Sequence, residues 1–545
     1  MRQLFKPVSV RTLSYVGVIL LGLIAGGVAI YTSANGPWGS RDPTEYLAAA
    51  RSLMHGLGYG FYLPNGQFHI YTIKPPLFSL VLAGIGLLKV DLIDAVRWLN
   101  ILLFVATVFL VGLIFIRYSA TPILAIPACL LMIAFPTLPK LFSSAFPEPL
   151  FLFLLIAGAF CLLGYFRNNG HRWLVPSVIF TSLVPMTRYI GISVIPVGAI
   201  CLFLFLPASW RERLKKALVY GVLASVPFLI WESWVYFKVD RTFAGRSIQL
   251  SLKLMKDRFS TASWLILRYI VSWMPFGNYA LKFRDRYLGA LFFLFIAAVT
   301  ALTLAAAHRL HKSIVQARTD GDIQIFGLFA FWSLLYILVF LADWMVNRDI
   351  DPVTNRLLVP VFVGLALGLI GALAYWQNAW FAGRLRWLRI LPWFITLIGL
   401  FYYVPQTLNQ IVLPDHQGMG ETAYYWRNSE TLAAVRRLPE NALIASNDAP
   451  AILLWANRPA YVVLTGAHPI LITQGTTSDA FNLDKSKALA AIQEQGVYVV
   501  WFSGSLNGAS IDNTPETDLA NLETVIPGLV PWGKYADGAI YYSSR

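Results

Sequence analysis

Charged residues are scarce in this chain. They make up 13% of its 545 residues, whereas 57% are hydrophobic. A typical soluble domain is about 25% charged. The apolar residues come in blocks of about 20, the length needed to cross roughly 30 Å of hydrocarbon. The sequence therefore predicts an α-helical polytopic membrane protein.

Cysteine is also rare, and the three present, Cys129, Cys161 and Cys201, all lie within apolar segments. This placement favours buried thiols over disulfides or a metal site. The C-terminal part contains no GxGxxG fingerprint, no P-loop and no CxxC pair, so none of these motifs indicates nucleotide or redox chemistry there. No sequence repeat of fixed period is present.

Basic residues outnumber acidic ones, 43 to 28, for a net charge of +15. In a soluble protein this excess would suggest nucleic acid, but here it is concentrated in short clusters between apolar blocks, so no nucleic-acid partner is expected. The clusters are the N-terminal tail, RNNGHRW from Arg167, RERLKK from Arg211, HRLHKSIVQAR from His308 and RLRWLR from Arg384. The positive-inside tendency places all of them in the cytoplasm. The first apolar run is interpreted as a retained span with a cytoplasmic N-terminus.

About eleven membrane spans are predicted. They cover approximately residues 12–32, 98–116, 121–139, 148–166, 174–186, 189–206, 217–237, 287–307, 323–343, 356–376 and 390–408. The pair at 174–206 is short and is interrupted by PMTRYIG, which predicts a broken helix with Arg188 facing a cavity. The connection at 238–286 is expected to pack amphipathic helices on the outer surface.

One further apolar stretch, PPLFSLVLAGIGLLKV from Pro75, is too short to cross comfortably. If it crossed, the four later basic clusters would lie outside, so we expect it to lie flat or re-entrant on the outer face. This parity predicts a membrane domain at 1–411 with a first outer loop at 33–97, and an outer α/β domain at 412–545. It also gathers several charged residues at the outer surface: Asp42, Lys74, Arg97, Glu148, Arg188, Arg348 and Arg356.

Asp42 has two interpretations. In RDPTEYLAAARSL, the acid, Pro43 and Glu45 form a capping-box pattern, in which Asp42 is simply an N-cap. An N-cap does not explain the cations expected on the same face. A carboxylate among cations stays ionised and can act as a general base for a hydroxyl held against it.

Three cations and a second acid also have structural and functional readings. Lys74 precedes a double proline and could snorkel at the interface or bind a phosphate. Arg188 and Arg356 lie at membrane depth or at a span end, where an arginine needs a partner or serves as an anchor. Glu148, between prolines at a span start, could simply complement the helix dipole. Together these residues suit a lipid phosphate whose developing charge must be neutralised.

These elements resemble the C-class integral membrane glycosyltransferases, and most closely the branch of protein O-mannosyltransferases and lipid A aminoarabinose transferase. Asp42 and Tyr46 match the Asp-Glu-x-x-Tyr element of that branch, with Pro43 replacing its second acid. KPPL at Lys74, PEPLF at Glu148, TRYIG at Arg188 and NRLLVP at Arg356 resemble further elements in the same order. The resemblance covers about residues 12–410, and an outer C-terminal domain is usual in such proteins.

The resemblance implies an inverting transfer of a sugar from a polyprenyl-phosphate donor to a lipid, glycan or protein acceptor on the outer face of the cell (plasma or inner) membrane. It implies catalytic roles for Asp42 and Glu148, phosphate binding by Lys74, Arg188 and Arg356, and support from Glu45 and Tyr46. A divalent metal is compatible with the family but not required by this sequence, because Pro43 removes one acid. His55 and His69 could ligate a metal or be surface residues. The alternatives are a lipid-linked sugar flippase, an oligosaccharide ligase and a scaffold.

Overall fold

The computed structural model describes residues 9–239, 251–275, 318–347, 353–379, 389–409, 420–464, 471–473, 494–503 and 526–544, with positions 492 and 523. The predicted span 287–307, the cluster at 308–317, most of RLRWLR and Arg348 lie outside the described residues. The stretch KSKALAAIQEQG from Lys485, whose sequence is typical of a helix in the C-terminal domain, lies mostly outside them as well.

Fourteen described helices precede the C-terminal domain. They are α1 Val10–Thr32, α2 Arg41–Met54, α3 Leu77–Gly86, α4 Leu92–Tyr118, α5 Ala125–Ala134, α6 Thr137–Phe142, α7 Glu148–Asn168, α8 His171–Thr187, α9 Val194–Phe205, α10 Trp210–Lys238, α11 Leu252–Trp273, α12 Gly321–Val346, α13 Asn355–Ala379 and α14 Leu391–Thr407. A short hairpin, β1 Gly60–Tyr62 and β2 Phe68–Ile70, follows α2.

Six helices in the described part are long and apolar enough to cross a membrane: α1, α4, α7, α10, α12 and α13. Each coincides with a predicted span, which confirms the polytopic helical fold class. They pack mainly as neighbours in the chain, α1 on α4, α4 on α7 and α12 on α13. The described residues do not test the predicted total of eleven spans.

One predicted span is broken, and one predicted interruption is present. The stretch 121–139 bends at Phe135, whose backbone is extended, and Pro136 separates α5 from α6. Proline has no amide hydrogen and disfavours helical backbone in the residue before it, which explains the break. The predicted interruption between 174 and 206 is present, because Arg188 is extended between α8 and a 3₁₀ turn at Tyr189–Ser193.

Helix α3 has ten residues, or about 15 Å at 1.5 Å per residue, and is too short to cross a bilayer. This agrees with the expectation that the stretch after Pro75 lies flat or re-entrant. Helix α11, in the predicted amphipathic connection, spans 22 residues and buries one face that includes Ala262, Ile266 and Leu267. It packs against α12 and α13.

The prediction that Asp42 caps α2 is wrong. Helix α2 begins at Arg41 after the extended residue Ser40, so Asp42 is its second residue and Pro43 its third. The expected capping box does not form, because both acids are bound elsewhere: Asp42 bonds to Arg356 and Glu45 to Tyr71. The capping pattern predicted the start of α2 within two residues, but the Asp42 carboxylate binds cations and does not cap the helix.

The C-terminal part is a small α/β unit, as predicted. Its six-stranded sheet has the order β5-β4-β3-β6-β8-β7, with β4, β3 and β6 parallel and the other neighbours antiparallel. The strands are β3 Ile444–Ser446, β4 Tyr461–Leu464, β5 Leu471–Thr473, β6 Val497–Phe502, β7 Val530–Tyr535 and β8 Gly538–Ser543. Short helices at Glu430–Val435 (α15) and Ala449–Ala451 (α16) accompany the sheet.

Residues 35–39, which lead into α2, connect three parts of the molecule. The Gly39 carbonyl accepts from the Glu421 amide at 2.9 Å, and the Asn35 carbonyl accepts from the Tyr424 amide at 2.9 Å. On the other side, Trp38 exchanges backbone hydrogen bonds with residues 143–145, at 3.1 and 2.7 Å. The segment before Asp42 is therefore fixed to the C-terminal domain and to the loop before Glu148.

Candidate active site

Five of the sequence-predicted site residues meet at one end of the helix bundle. Asp42 lies in the first turn of α2, and Lys74 lies in the loop before α3. Glu148 is the first residue of α7, Arg188 lies in the break after α8, and Arg356 is the second residue of α13. The fold thus brings together positions more than 300 residues apart in sequence.

Asp42 is held by two cations, one on each carboxylate oxygen. Arg356 Nη2 donates to Oδ2 at 2.8 Å, and Lys74 Nζ lies 3.5 Å from Oδ1. The side chains of Asp42, Arg356 and Lys74 are 28%, 24% and 16% exposed. The three charged groups are therefore partly open to solvent.

Glu148 joins the two arginines. Its Oε1 accepts from Arg188 and lies 3.3 Å from Arg356 Nε. Glu148 is buried, and among the described residues its Oε2 has no hydrogen-bond partner. Phe146 packs its ring under the Arg356 guanidinium at 4.2 Å, a cation–π contact that helps to orient the arginine.

Burial alone would raise the pKa of the Asp42 carboxyl, but the charges of Lys74 and Arg356 outweigh burial, so the net pKa lies below its usual value. Asp42 is therefore ionised at neutral pH. The cluster comprises Lys74, Arg188 and Arg356 against the carboxylates of Asp42 and Glu148, a net charge of +1.

The two residues predicted to support the site lie beside the cation cluster. Glu45 is buried, accepts from Tyr71 Oη at 2.6 Å and lies 3.5 Å from Arg41 Nε. Burial, reinforced by the nearby Asp42 charge, raises the pKa of the Glu45 carboxyl. Tyr46 is buried edge-on against the ring of Phe78. Glu45 thus helps to hold α2 against the loop after the hairpin, through Tyr71.

Some residues at the site were missed from the sequence. Tyr71 and Phe146 are aromatic residues that no sequence pattern marks as functional. Tyr71 bonds to Glu45 and Phe146 contacts Arg356 only because the fold brings distant segments together. Tyr189 donates to the Thr72 carbonyl at 2.5 Å, which ties the helix break to the loop that carries Lys74. Its position next to Arg188 in TRYIG was the available signal. Arg97, expected at the outer surface, donates to Ser33 Oγ and the Ile30 carbonyl at the end of α1.

Among the described residues, no group of three or more His, Cys, Asp or Glu side chains is placed to hold a metal ion. The two loop histidines make local contacts: His55 Nδ1 lies 2.8 Å from the Arg51 carbonyl, and the His69 ring packs edge-on against Phe61. The three cysteines are buried and unpaired, as expected.

No protein-family model and no curated protein matches the sequence. Solved structures do match. ArnT from Cupriavidus metallidurans bound to undecaprenyl phosphate is 11% identical, with a TM-score of 0.53 over 97% of each chain. The structure of ArnT in the apo state is also 11% identical and has a TM-score of 0.54 over 96% of this chain and 97% of that chain. The arabinofuranosyltransferase AftD from Mycobacteria is 14% identical, with a TM-score of 0.51 over 97% of this chain and 40% of that one.

These structures are glycosyltransferases of the integral membrane C class. The similarity to ArnT extends over nearly the whole of both chains, the C-terminal domain included. The chain therefore has the fold expected from the resemblance in sequence.

Proposed function

We propose that this protein is an inverting glycosyltransferase that moves a sugar from a polyprenyl-phosphate donor to a hydroxyl group of an acceptor on the outer membrane face. The observation that carries the proposal is the ion-paired cluster of Asp42, Lys74, Arg356, Glu148 and Arg188 at one end of the bundle. The fold supports it, and one protein of that fold binds undecaprenyl phosphate.

The chemistry follows from the two kinds of charge. Asp42 removes the proton from the acceptor hydroxyl as its oxygen forms a bond to the anomeric carbon of the sugar. The bond from that carbon to the phosphate oxygen breaks, and its electron pair leaves with the polyprenyl phosphate. Lys74 and Arg356 neutralise the charge that develops on this leaving group. Attack from the side opposite the phosphate inverts the anomeric configuration.

The charge of the cluster favours a monophosphate donor. A phosphodiester that links a sugar to a polyprenol carries one negative charge, which balances the cluster's net charge of +1. A diphosphate-linked sugar would bring a second negative charge, and the site, which still contains the Asp42 carboxylate, would then be net negative. Uncompensated charge in a partly desolvated site is costly.

The position of the cluster argues against a flippase. Its members lie at helix starts, in one helix break and in loops that contact each other at one end of the bundle. Transporters of the alternating-access type place their substrate site near the bilayer midplane, between repeated halves. A site at one end suits a reaction on one membrane face. The C-terminal domain, which contacts this end, would then lie outside the membrane.

The test is sugar transfer in proteoliposomes from a panel of radiolabelled polyprenyl-phosphate sugars to cell-envelope acceptors. Asp42→Asn keeps the size of the side chain but removes the base, and we expect transfer to fall at least about a thousandfold. Glu212→Gln is a control that removes one negative charge from an exposed i,i+4 pair on α10. Transfer at the wild-type rate by Asp42→Asn, at equal expression, would falsify the proposal.

Lys74→Ala should weaken the use of the donor. We expect the donor KM to rise about tenfold, whereas the acceptor KM should change little, because Lys74 is assigned to the phosphate. Steady-state kinetics with each substrate varied in turn measures both constants. An unchanged donor KM would place the phosphate elsewhere.

A further inference from the structure

We propose that the Asp42 carboxylate occupies the donor-phosphate site of the unliganded protein, and that the phosphate of the donor displaces it to free the base for the acceptor. This inference rests on the proposed function. It adds an order to the reaction: the base becomes available only after the donor has bound.

The geometry of the cluster carries the inference. Lys74 and Arg356 each approach a different oxygen of Asp42, at 3.5 and 2.8 Å. Phosphodiesters also present two anionic oxygens to cations, and lysine and arginine bind carboxylates and phosphates through the same donor groups. A phosphate that binds Lys74 and Arg356 must therefore compete with Asp42 for the same N–H groups.

Arg356 has one buried and one accessible acid partner. Its Nε faces Glu148, which is 1% exposed and is also held by Arg188. Its Nη2 faces Asp42, whose side chain is 28% exposed. Removing Glu148 would take this acid partner from Arg188 and leave Arg356 with Asp42 alone, whereas Asp42 can turn away toward solvent or substrate. Glu148 thus keeps Arg356 in place while Asp42 is exchanged.

The exchange makes the Asp42 carboxylate a stronger base. While both cations hold the carboxylate, its negative charge is already stabilised, and it accepts a proton poorly. When a phosphate takes the cations, this stabilisation is lost and the phosphate charge repels the carboxylate. Both effects favour proton uptake, and the repulsion moves the carboxylate away from the leaving group. The acceptor hydroxyl then meets a stronger base.

The inference predicts opposite effects on binding and on transfer. Asp42→Asn removes the internal competitor, so the full-length variant in nanodiscs should bind undecaprenyl phosphate about tenfold more tightly than wild type, as expected from the loss of two partly exposed ion pairs. The same variant should not transfer sugar. Lys74→Ala should bind the lipid phosphate about tenfold more weakly. Glu212→Gln should bind like wild type, which controls for the change in net charge.

The outcomes separate this inference from the proposed function. If Lys74→Ala weakens binding but Asp42→Asn binds no more tightly than wild type, the exchange is wrong and the phosphate site stands. If Lys74→Ala binds as wild type does, the phosphate lies elsewhere and the exchange is wrong, whereas the proposed function is still decided by the transfer assay. If wild type does not bind undecaprenyl phosphate, both proposals fail.

The pH dependence of wild-type transfer is a second measurement that needs no variant. The pH dependence of kcat/KM for the donor reports the pKa of Asp42 in the free protein, and that of kcat reports its pKa in the donor complex. The acid limb of the kcat profile should therefore lie at higher pH than the acid limb of the kcat/KM profile. Limbs at the same pH would overturn the exchange.

Discussion

At the scale of single residues, the two acids of the site differ in what surrounds them. Asp42 is partly exposed and faces two cations, whereas Glu148 is buried and shares one oxygen between two arginines. A buried acid between two guanidinium groups fixes their positions and prevents their mutual repulsion from separating them. Glu148 therefore holds Arg356 and Arg188 in place, and in the proposed function these are cations that would receive the donor phosphate.

Glu148→Gln should lower both stability and activity. The amide cannot balance the two guanidinium charges, which are 20% and 24% exposed, so the change should cost about 2 kcal/mol in the free energy of unfolding. Misplaced arginines should slow transfer by about a hundredfold. Thermal unfolding and transfer assays of the purified variant measure these effects, with Glu212→Gln as the charge-matched control. A variant with wild-type stability and rate would show that the arginines do not depend on this carboxylate.

The sequence could predict which residues meet here, but not how they pair. Asp42, Lys74, Glu148, Arg188 and Arg356 were identified because charge is scarce and the topology places them on one face. Their pairing depends on how side chains from distant segments are oriented toward each other. Asp42 and its partner Arg356 are 314 residues apart in sequence, which is far beyond the range of any local sequence pattern. For the same reason the local capping pattern misassigned Asp42, since its partner cations lie outside the pattern.

At the scale of elements, the segment 35–39 positions the start of α2. Its backbone bonds to residues 420–424 on one side and to 143–145 on the other. Thr422 Oγ1 also donates to the Pro37 carbonyl at 2.6 Å. Since Asp42 follows within three residues of Gly39 and Glu148 within three residues of Ala145, this segment keeps the two acids in a fixed relation.

Gly39→Ala should disturb that relation. A Cβ on Gly39 would lie 2.3 Å from Thr422 Oγ1 and 2.9 Å from its Cγ2. Such overpacking costs about 1–3 kcal/mol, and we expect the start of α2 to shift and transfer to fall about tenfold. Gly84→Ala in α3 is the matched control, because a Cβ there meets no atom within 4 Å.

A double mutant makes this prediction sharper. Thr422→Ala removes the two atoms that a Cβ on Gly39 would approach most closely and leaves the nearest contact at 3.2 Å. The pair Gly39→Ala with Thr422→Ala should therefore transfer sugar faster than Gly39→Ala alone. Equal rates for the single and double variants would assign the effect to the glycine backbone instead of the steric contact.

The elements themselves were predictable to different degrees. Long apolar helices were predictable because length and hydropathy decide them: α7 was located within two residues at each end, and α4 within six. The hairpin β1–β2 was missed, since its three-residue strands carry too little pattern. The break at Phe135 was also missed, because hydropathy continues through Pro136 although the helix cannot.

At the scale of the whole molecule, charged contacts hold the C-terminal domain on α2 and on the start of α4. Arg51 of α2 donates to the Leu454 carbonyl at 2.8 Å and to Asn457 Oδ1 at 2.9 Å. Arg427 lies 3.0 Å from Asp94, at the start of α4. The domain therefore contacts the helix that carries Asp42 as well as the segment before it, and its docking is coupled to the geometry of the site.

A pair of buried acids lies at this junction. Glu421, whose amide bonds to Gly39, is 5% exposed, and Asp448 is 6% exposed. Burial, reinforced by the Asp448 charge, raises the pKa of Glu421 from 4.5 to about 8, with Arg41 acting in the opposite direction. Burial also raises the pKa of Asp448. Both groups consequently keep a proton at pH values where ordinary carboxyl groups have lost theirs.

Stability should therefore fall as the pH rises. Between the unfolded pKa of Glu421 and its folded value near 8, the folded state binds more protons than the unfolded state, so the free energy of unfolding decreases with pH. The contribution of protonated Glu421 to the free energy of unfolding is complete below pH 4.5 and is lost as the pH rises through about 8. Glu421→Gln removes the titration and should flatten this dependence, whereas Glu440→Gln, at an exposed position, should not.

Thermal unfolding of the full chain in detergent at pH 5 and pH 8.5 measures the effect. We expect the Tm of wild type and of Glu440→Gln to fall by several degrees from pH 5 to pH 8.5. The Tm of Glu421→Gln should fall less, because the free energy of burying a neutral amide is the same at the two pH values. Because Glu421 contacts the segment before Asp42, transfer should slow over the same range in wild type. A Tm that rises from pH 5 to 8.5 in wild type would mean that these acids are ionised in the folded protein and that another group, such as Arg41, pairs with them.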